Sequence, residues 1–133
     1  TPFSVPHRDE YSETVGFQVS GLTYKLIFIP DIDKWDKWGQ NIREVIKDND
    51  CVLIDGTFFG RGEIPNRNMA EIPHPSIEES MDYFSVLSVE DKSKVHFIHL
   101  NHTNPALDST TVQWKTVINL GFNISFMGQR FPL

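Results

Sequence analysis

The fold is decided by the stretch Val95-His96-Phe97-Ile98-His99-Leu100-Asn101-His102-Thr103-Asn104-Pro105. It begins with apolar β-branched and aromatic residues and has no Gly or Pro there, which predicts a buried strand. It ends in polar residues and a proline, which predicts a loop. Three of the five histidines lie here. A strand that delivers imidazoles to its carboxyl end can hold a metal or substrate, although a single histidine is more often a packing or hydrogen-bonding residue.

Length and composition predict one globular domain. The chain has 133 residues, of which 39% are hydrophobic and 23% are charged. The net charge of −6 and the lack of a long basic run argue against binding to nucleic acid or to anionic membranes. No apolar run approaches the ~20 residues of a membrane span.

The single cysteine, Cys51, precedes Val52-Leu53-Ile54 and is expected to be a small buried apolar residue. No disulfide can form within the chain, which is compatible with a reducing compartment, and we expect a cytoplasmic location. The start at Thr1-Pro2-Phe3 has neither an initiator Met nor a signal-peptide pattern, and is typical of the middle of a protein.

The remaining pattern predicts the order β-β-α-β-α-β-α-β, which is an α/β layered architecture. Strands are predicted at 15–19, 22–29, 51–54, from 95, and 122–126, and helices at 36–47, from 76, and 110–120. The pair Ser76 and Glu79 fits a capping box at the second helix. Residues 58–73 have no clear period and are interpreted as a long functional loop or lid.

Polar side chains follow most of the buried apolar runs. These are His7, Asp31, Asp55, His99 and His102, with His74 where a helix begins. Strand ends converge in layered α/β proteins, so we expect these residues to lie close together. Imidazole nitrogens and carboxylate oxygens suit zinc, iron or manganese, and one carboxylate can bridge two metals.

Five segments in register resemble the C-terminal half of the metallo-β-lactamase-fold hydrolases and, within that superfamily, the coenzyme PQQ synthesis protein B family. The segments are His7 with Thr14-Val15-Gly16-Phe17, Phe28-Ile29-Pro30-Asp31, Asp50 to Phe58 with its Asp-Gly-Thr-Phe run, His74-Pro75-Ser76-Ile77-Glu78-Glu79-Ser80, and Phe97 to Pro105. The resemblance implies the C-terminal half of an αββα sandwich. It covers nearly all of residues 1–133, as a single domain or half-domain.

The resemblance also implies a role for each matching residue. His7, Asp31 and His99 match metal ligands, and Asp31 matches the carboxylate that commonly bridges two metals. His74 is similar to a non-ligand histidine near the leaving group, and Asp55 to its partner. The implied activity is hydrolysis of an ester, phosphodiester or lactam-like bond in a small molecule by a metal-bound hydroxide. Zinc is the first candidate metal, with iron or manganese as alternatives.

Each assignment has a structural alternative. Asp31 is also a suitable turn or helix N-cap residue, Asp55 before a glycine is also a turn residue, and His74 before a proline is also a surface residue. Strand alternation points His96 away from His99, toward packing or a partner. His102, with Asn101, is interpreted as a contact to a metal-ligating residue or to the substrate, and not as a metal ligand.

The first metal motif of the superfamily, His-X-His-X-Asp-His, is absent from this sequence. The N-terminal half of the fold is therefore an expected partner, and the chain alone is expected to be inactive and to expose an apolar sheet face that favours self-association. Two alternatives stay open. The chain is a non-catalytic half-protein or binding module in cofactor biosynthesis, or it belongs to an iron-dependent, oxygenase-like member, which two histidines and one carboxylate also suit.

Overall fold

The structure, a computed structural model, describes residues 1–8, 11–65, 68 and 71–132. Its strands are β1 (Pro2–Val5), β2 (Thr14–Ser20), β3 (Lys25–Ile29), β4 (Cys51–Asp55), β5 (Val95–Ile98) and β6 (Asn123–Ile124). Its α-helices are α1 (Ile42–Lys47), α2 (Ile77–Tyr83), α3 (Val89–Ser93) and α4 (Val112–Asn119). Short 3-10 helices span Trp35–Lys37 and Pro105–Leu107. The predicted α/β class is confirmed.

The six strands form one mixed sheet in the order β1-β2-β3-β4-β5-β6. The pairs β1–β2 and β2–β3 are antiparallel, and β3 to β6 are parallel to one another. Two antiparallel steps make β1 run in the same direction as β3. The carboxyl ends of β1, β3, β4 and β5 therefore lie along one edge of the sheet, where a parallel sheet places its ligands.

The main hydrophobic core lies between one face of the sheet and the helices. Alternate residues of the central strands point into it, including Ile27 and Ile29, Val52 and Ile54, and Val95 and Phe97. The helical side contributes Ile42, Ile46, Ile77, Met81, Phe84 and Val117, all buried. In the part of the chain that the structure describes, no helix is both long and apolar enough to cross a membrane.

The predicted helix over 36–47 is wrong as one element. A 3-10 turn at Trp35–Lys37 ends at Trp38, whose backbone is extended with ψ 131°, and α1 begins only at Ile42. The side chain of Asn41 accepts a hydrogen bond from the backbone N–H of Arg43 and caps the new helix. A pattern of apolar residues can thus continue across a break in a helix, because the 3-10 turn and α1 bury residues in the same core.

The other helix predictions fared better. The capping box of Ser76 and Glu79 is confirmed at the start of α2, and Gly121, with φ 89°, follows the end of α4. Within α4, Val117 is buried whereas Ile118 is 37% exposed. Helix α3, which Ser88 caps, was not predicted. The described residues of the predicted lid, 58–65, 68 and 71–73, contain no strand or α-helix.

The strand predictions hold for the centre of the sheet and fail at its edges. The strands predicted at 15–19 and 22–29 are confirmed as the antiparallel pair β2 and β3, but β3 begins at Lys25 and not at Leu22, which is fully exposed. The last strand is reduced to Asn123–Ile124. Strand β1 was not predicted, because a four-residue strand bounded by prolines gives almost no periodic signal.

The second face of the sheet carries a smaller apolar cluster, Leu26, Cys51 and Leu53, with Tyr24, Phe28, Ile98 and Phe131 packed against it. None of these residues belongs to a helix of the described chain. On the same face Phe17 is 42% exposed and Val19 39% exposed. The burial predicted for Cys51 is confirmed, and burial raises the pKa of its thiol to about 11.

His96 also points to this second face, away from the helices, as strand alternation predicts. It pairs in register with Leu53, and its ring meets Phe131 edge-on with 5.3 Å between centroids. Its buried Nδ1 has no hydrogen-bond partner among the described residues. Burial lowers the pKa of His96, because the surroundings disfavour the charged imidazolium.

The lowered pKa of His96 makes the native state sensitive to acid. As the pH falls below the ordinary histidine pKa of about 6.5, the unfolded chain takes up a proton before the native chain does. The free energy of unfolding should therefore fall more steeply from about pH 7.5 to pH 5 in the wild type than in His96→Gln. Urea unfolding of the intact protein at several pH values measures both slopes, and parallel curves would contradict the expectation.

Candidate metal centre

Two histidines and a carboxylate meet at the sheet edge formed by the carboxyl ends of β1 and β3. His7 follows β1, and its Nε2 lies 2.6 Å from Oδ1 of Asp31, which follows β3. Nδ1 of His74 lies 3.3 Å from the same oxygen. Within the described ranges, these three residues are the group whose potential ligand atoms all lie within 4.8 Å of one another.

Asp31 Oδ1 is buried and has no hydrogen-bond partner among the described residues, although His7 Nε2 is so close. The contact is short, but its geometry is not that of a hydrogen bond. A buried carboxylate oxygen with unused lone pairs between two imidazoles fits a cation. The N-cap alternative for Asp31 does not hold, since Lys34 precedes the next helical turn.

Asp55, at the end of β4, is the most buried charged residue of the site, with 0% of its surface exposed. Its Oδ1 accepts hydrogen bonds from the backbone N–H (2.8 Å) and the hydroxyl (2.7 Å) of Thr57. Its Oδ2 accepts from the backbone N–H of Ile32 (3.2 Å) and faces Nδ1 of His74 at 2.7 Å. Asp55 is therefore both a turn residue and the partner of His74.

The ring of His74 is half-buried beside this carboxylate. Burial by itself lowers the pKa of His74, but the hydrogen bond to Asp55 and the negative charges of Asp55 and Asp31 outweigh it and raise the pKa. The ring packs edge-on against His7 and Phe58, with centroid distances of 5.3 and 5.8 Å. The surface alternative for His74 does not fit these contacts.

Lys34 fixes the backbone that carries His74, a role the sequence did not reveal. Its Nζ donates to the carbonyl of His74 (2.8 Å) and to Oε2 of Glu79 (2.6 Å). The same Glu79 oxygen accepts from the backbone N–H of Ser76 and completes the capping box. The histidine is thus held at its ring by Asp55 and at its main chain by Lys34.

His99 lies at the same edge, one residue past β5, but outside the 4.8 Å group. Its φ of 61° is rare for a residue with a side chain, and such strain is often found at functional sites. Its Nδ1 lies 3.1 Å from Oγ1 of Thr57. His102 is exposed, and its Nδ1 lies 3.1 Å from Oδ1 of Asn101.

His74 and His99 are thus rival candidates for the ligand beside His7 and Asp31. Distance favours His74. Its Nδ1, however, is the nitrogen that donates to Asp55, and a nitrogen that carries a hydrogen has no lone pair for a metal. The hydrogen-bond pattern therefore favours His74 as a proton carrier, and His99 remains the predicted third ligand.

A groove opens beside the two clustered imidazoles. It encloses about 560 Å³ and is lined by His7, Arg8, Phe58, Asn68, Glu71, Ile72, Pro73 and His74. Most of the lining residues belong to the predicted lid, so this loop borders the groove. A groove of this size admits a small molecule beside the imidazoles.

Comparison with known proteins agrees with this geometry. A family model described as a beta-lactamase superfamily domain matches residues 1–127. The chain belongs to the beta-lactamase superfamily. Among curated relatives, the coenzyme PQQ synthesis protein B of Acinetobacter baumannii (strain ACICU) is 28% identical over 99% of this chain and 45% of its own length. That of Methylococcus capsulatus is 27% identical over the same shares.

The fold of this superfamily domain is also that of a solved relative. The Zn²⁺-bound PqqB from Methylobacterium extorquens matches with a TM-score of 0.71 and 21% identity, over 100% of this chain and 46% of that one. The family and fold inferred from the five sequence segments are confirmed. The chain spans less than half the length of the relatives it matches, and the site described above lies within that share.

Replacing Asp55 by Asn should weaken both the fold and the pairing with His74. An amide keeps the shape but turns one acceptor into a donor that faces donors, at a cost of about 1–3 kcal/mol in the free energy of unfolding. The pKa of His74 should also fall, because its hydrogen-bonded negative partner is lost. Urea unfolding and an NMR titration of His74 measure the two effects.

The exposed Asp48→Asn is the matched control, because it removes the same charge outside the site. It should change neither quantity. Retention of the wild-type pKa of His74 in Asp55→Asn would contradict the assigned pairing.

Proposed function

We propose that this chain supplies part of the metal centre of a metal-dependent hydrolase that acts on an ester, phosphodiester or lactam-like bond of a small molecule. The observation that carries the proposal is the unsatisfied, buried Oδ1 of Asp31 between His7 and His74. Membership of the beta-lactamase superfamily supports the reaction class.

In this proposal His7, Asp31 and His99 hold a divalent metal ion. The donor set of imidazole and carboxylate suits zinc, with iron or manganese as alternatives. A metal bound there supplies a Lewis acid that polarises the scissile bond and lowers the pKa of water. The Zn²⁺ in the solved relative supports zinc as the first metal to test.

His74 serves as the proton carrier. Its raised pKa keeps part of the imidazole protonated near neutral pH, as a general acid requires. Asp55 orients the ring through Nδ1, so that Nε2 is not used in this hydrogen bond. The proton held at Nε2 is then available to the departing atom, while Lys34 keeps the backbone of the histidine in place.

The remaining length of the relatives would supply the other half of the fold. A second sheet, from the N-terminal half of the fold, would cover the exposed Phe17 and Val19 and supply the first metal motif. Residues 1–133 then form a half-domain that is inactive alone. In the absence of that half, the same apolar face would favour self-association into a homo-oligomer.

A second function is favoured by the names of the relatives. Coenzyme PQQ synthesis protein B matches over 99% of the chain, so a role in the biosynthesis of a PQQ-like cofactor is the alternative. The chain would then bind a biosynthetic intermediate without hydrolysing it, or use iron in an oxygenase-like reaction. Two histidines and one carboxylate suit such an iron site.

The first test is metal content. The intact protein, loaded with Zn²⁺, Fe²⁺ or Mn²⁺ and dialysed, should retain the metal. His7→Ala, Asp31→Ala and His99→Ala should each weaken retention by more than about 100-fold, since even outer-shell partners cost about 10–100-fold. His96→Gln, on the opposite face of the sheet, is the histidine control and should retain the metal at pH 7.5.

Two results would count against the enzyme. One is an intact protein that retains none of the three metals, and the other is a His99→Ala variant with unchanged retention. Mixing this chain with the N-terminal half separates the two functions. Recovery of metal binding favours the enzyme, whereas stable association without metal uptake favours the binding module.

A further inference from the structure

Resting on the proposed metal centre, we infer that Thr57 is a positioning residue that fixes the hydrogen of His99 on Nδ1. This leaves Nε2 of His99 with a free lone pair for a metal ion. Through Thr57, the single carboxylate of Asp55 sets the tautomers of both His99 and His74.

The argument starts from the hydrogens around Asp55. Two of its four partners are backbone N–H groups, of Ile32 and Thr57, which can only donate. One of them faces each oxygen, as suits an ionised carboxylate, which accepts at both oxygens and donates at neither. The Thr57 hydroxyl, 2.7 Å from Oδ1, must then direct its only hydrogen to Asp55.

Because its only hydrogen is donated to Asp55, the Thr57 hydroxyl can only accept a hydrogen bond from His99. Nδ1 of His99 lies 3.1 Å from Oγ1 of Thr57, so Nδ1 carries the hydrogen. A neutral imidazole has one N–H, so Nε2 carries none. Free histidine in water prefers the opposite tautomer, with the hydrogen on Nε2, and Thr57 therefore reverses the ordinary preference.

The same argument applies to His74, whose ring faces Asp55 directly and not through a hydroxyl. Its Nδ1 lies 2.7 Å from Oδ2 of Asp55, which accepts. The hydrogen of the neutral ring is on Nδ1, and Nε2 is free to gain or lose a proton. One carboxylate thus faces one imidazole directly and the other through a hydroxyl.

The backbone of Thr57 is held firmly enough for this role. Its carbonyl accepts from the backbone N–H of Asn101 (2.9 Å) and from Nδ2 of Asn104 (3.3 Å), and Asn104 is only 2% exposed. Gly56 allows the close approach, because a Cβ there would lie 2.9 Å from the Cβ of Phe97. The turn is therefore pinned to the loop that carries His99.

The same turn elsewhere in the chain shows what is special at Thr57. Asp108 accepts from the backbone N–H (2.8 Å) and the hydroxyl (2.7 Å) of Thr110, the same distances as between Asp55 and Thr57. That turn is exposed, and among the described residues no imidazole contacts its hydroxyl. A turn with this hydrogen-bond pattern is thus ordinary by itself. The role of Thr57 depends on the burial of its turn and on the contact of its hydroxyl with His99.

The test reads the tautomer directly in the metal-free intact protein. Long-range ¹H–¹⁵N NMR at about pH 8.5, two units above the ordinary histidine pKa, distinguishes a nitrogen with a hydrogen from one without. His99 should show its hydrogen on Nδ1 in the wild type and in Thr57→Ser, which keeps the hydroxyl. In the isosteric Thr57→Val it should move to Nε2 in most molecules, and Thr110→Val, the matched control, should leave it on Nδ1.

A wild-type spectrum with the hydrogen on Nε2 would overturn the inference, and so would an unchanged tautomer in Thr57→Val. The wild-type spectrum decides even if the valine variant fails to fold. Titration with Zn²⁺ alone is the second readout. Its affinity should fall about 10–100-fold in Thr57→Val and be largely restored in Thr57→Ser.

The two readouts separate this inference from the proposed function. If the wild type shows the expected tautomer but takes up no Zn²⁺, the metal centre fails and the role of Thr57 in setting the tautomer stands. If Zn²⁺ binds equally well to the wild type and Thr57→Val, and the tautomer is unchanged, the metal centre stands and the role of Thr57 is refuted.

Discussion

The buried carboxylate of Asp55 is the constraint on which the site depends. A charge removed from water is tolerated only where hydrogen bonds replace its hydration, and four donors surround this one. They come from the loop after β3, from the turn after β4 and from His74 before α2. Three connections of the fold are therefore positioned by one side chain, and the geometry of the site follows from the electrostatics of the core.

The sequence predicted the centre of the fold because its signals are local. Apolar runs such as Cys51-Val52-Leu53-Ile54 are buried on both faces, and the chain direction of parallel strands places their ends together. The same signals gave a list of site residues at strand ends. They missed β1 and the break before α1, where a proline-bounded edge and a cap at Asn41 decide the structure.

The sequence could not show what the site histidines contact, because these contacts join distant segments. His74 and Asp55 are 19 residues apart, Lys34 reaches His74 across 40, and Thr57 meets His99 across 42. No periodicity encodes such contacts. The Asp-Gly-Thr run suggested a turn and a resemblance, but only the fold shows that its hydroxyl faces an imidazole.

The position of strand β1 affects how firmly His7 is held in the site. Among the described strands, β1 and β6 are the two edges of the sheet. Strand β1 pairs there with β2, and its four residues lead to His7 in the cluster. Short edge strands separate from a sheet at a lower free-energy cost than the strands of its core. Fraying of this edge would withdraw one imidazole while the other polar residues stay in place. A cation held by His7 and Asp31 would hold this edge strand against the rest of the sheet, so that site occupancy and local order rise together.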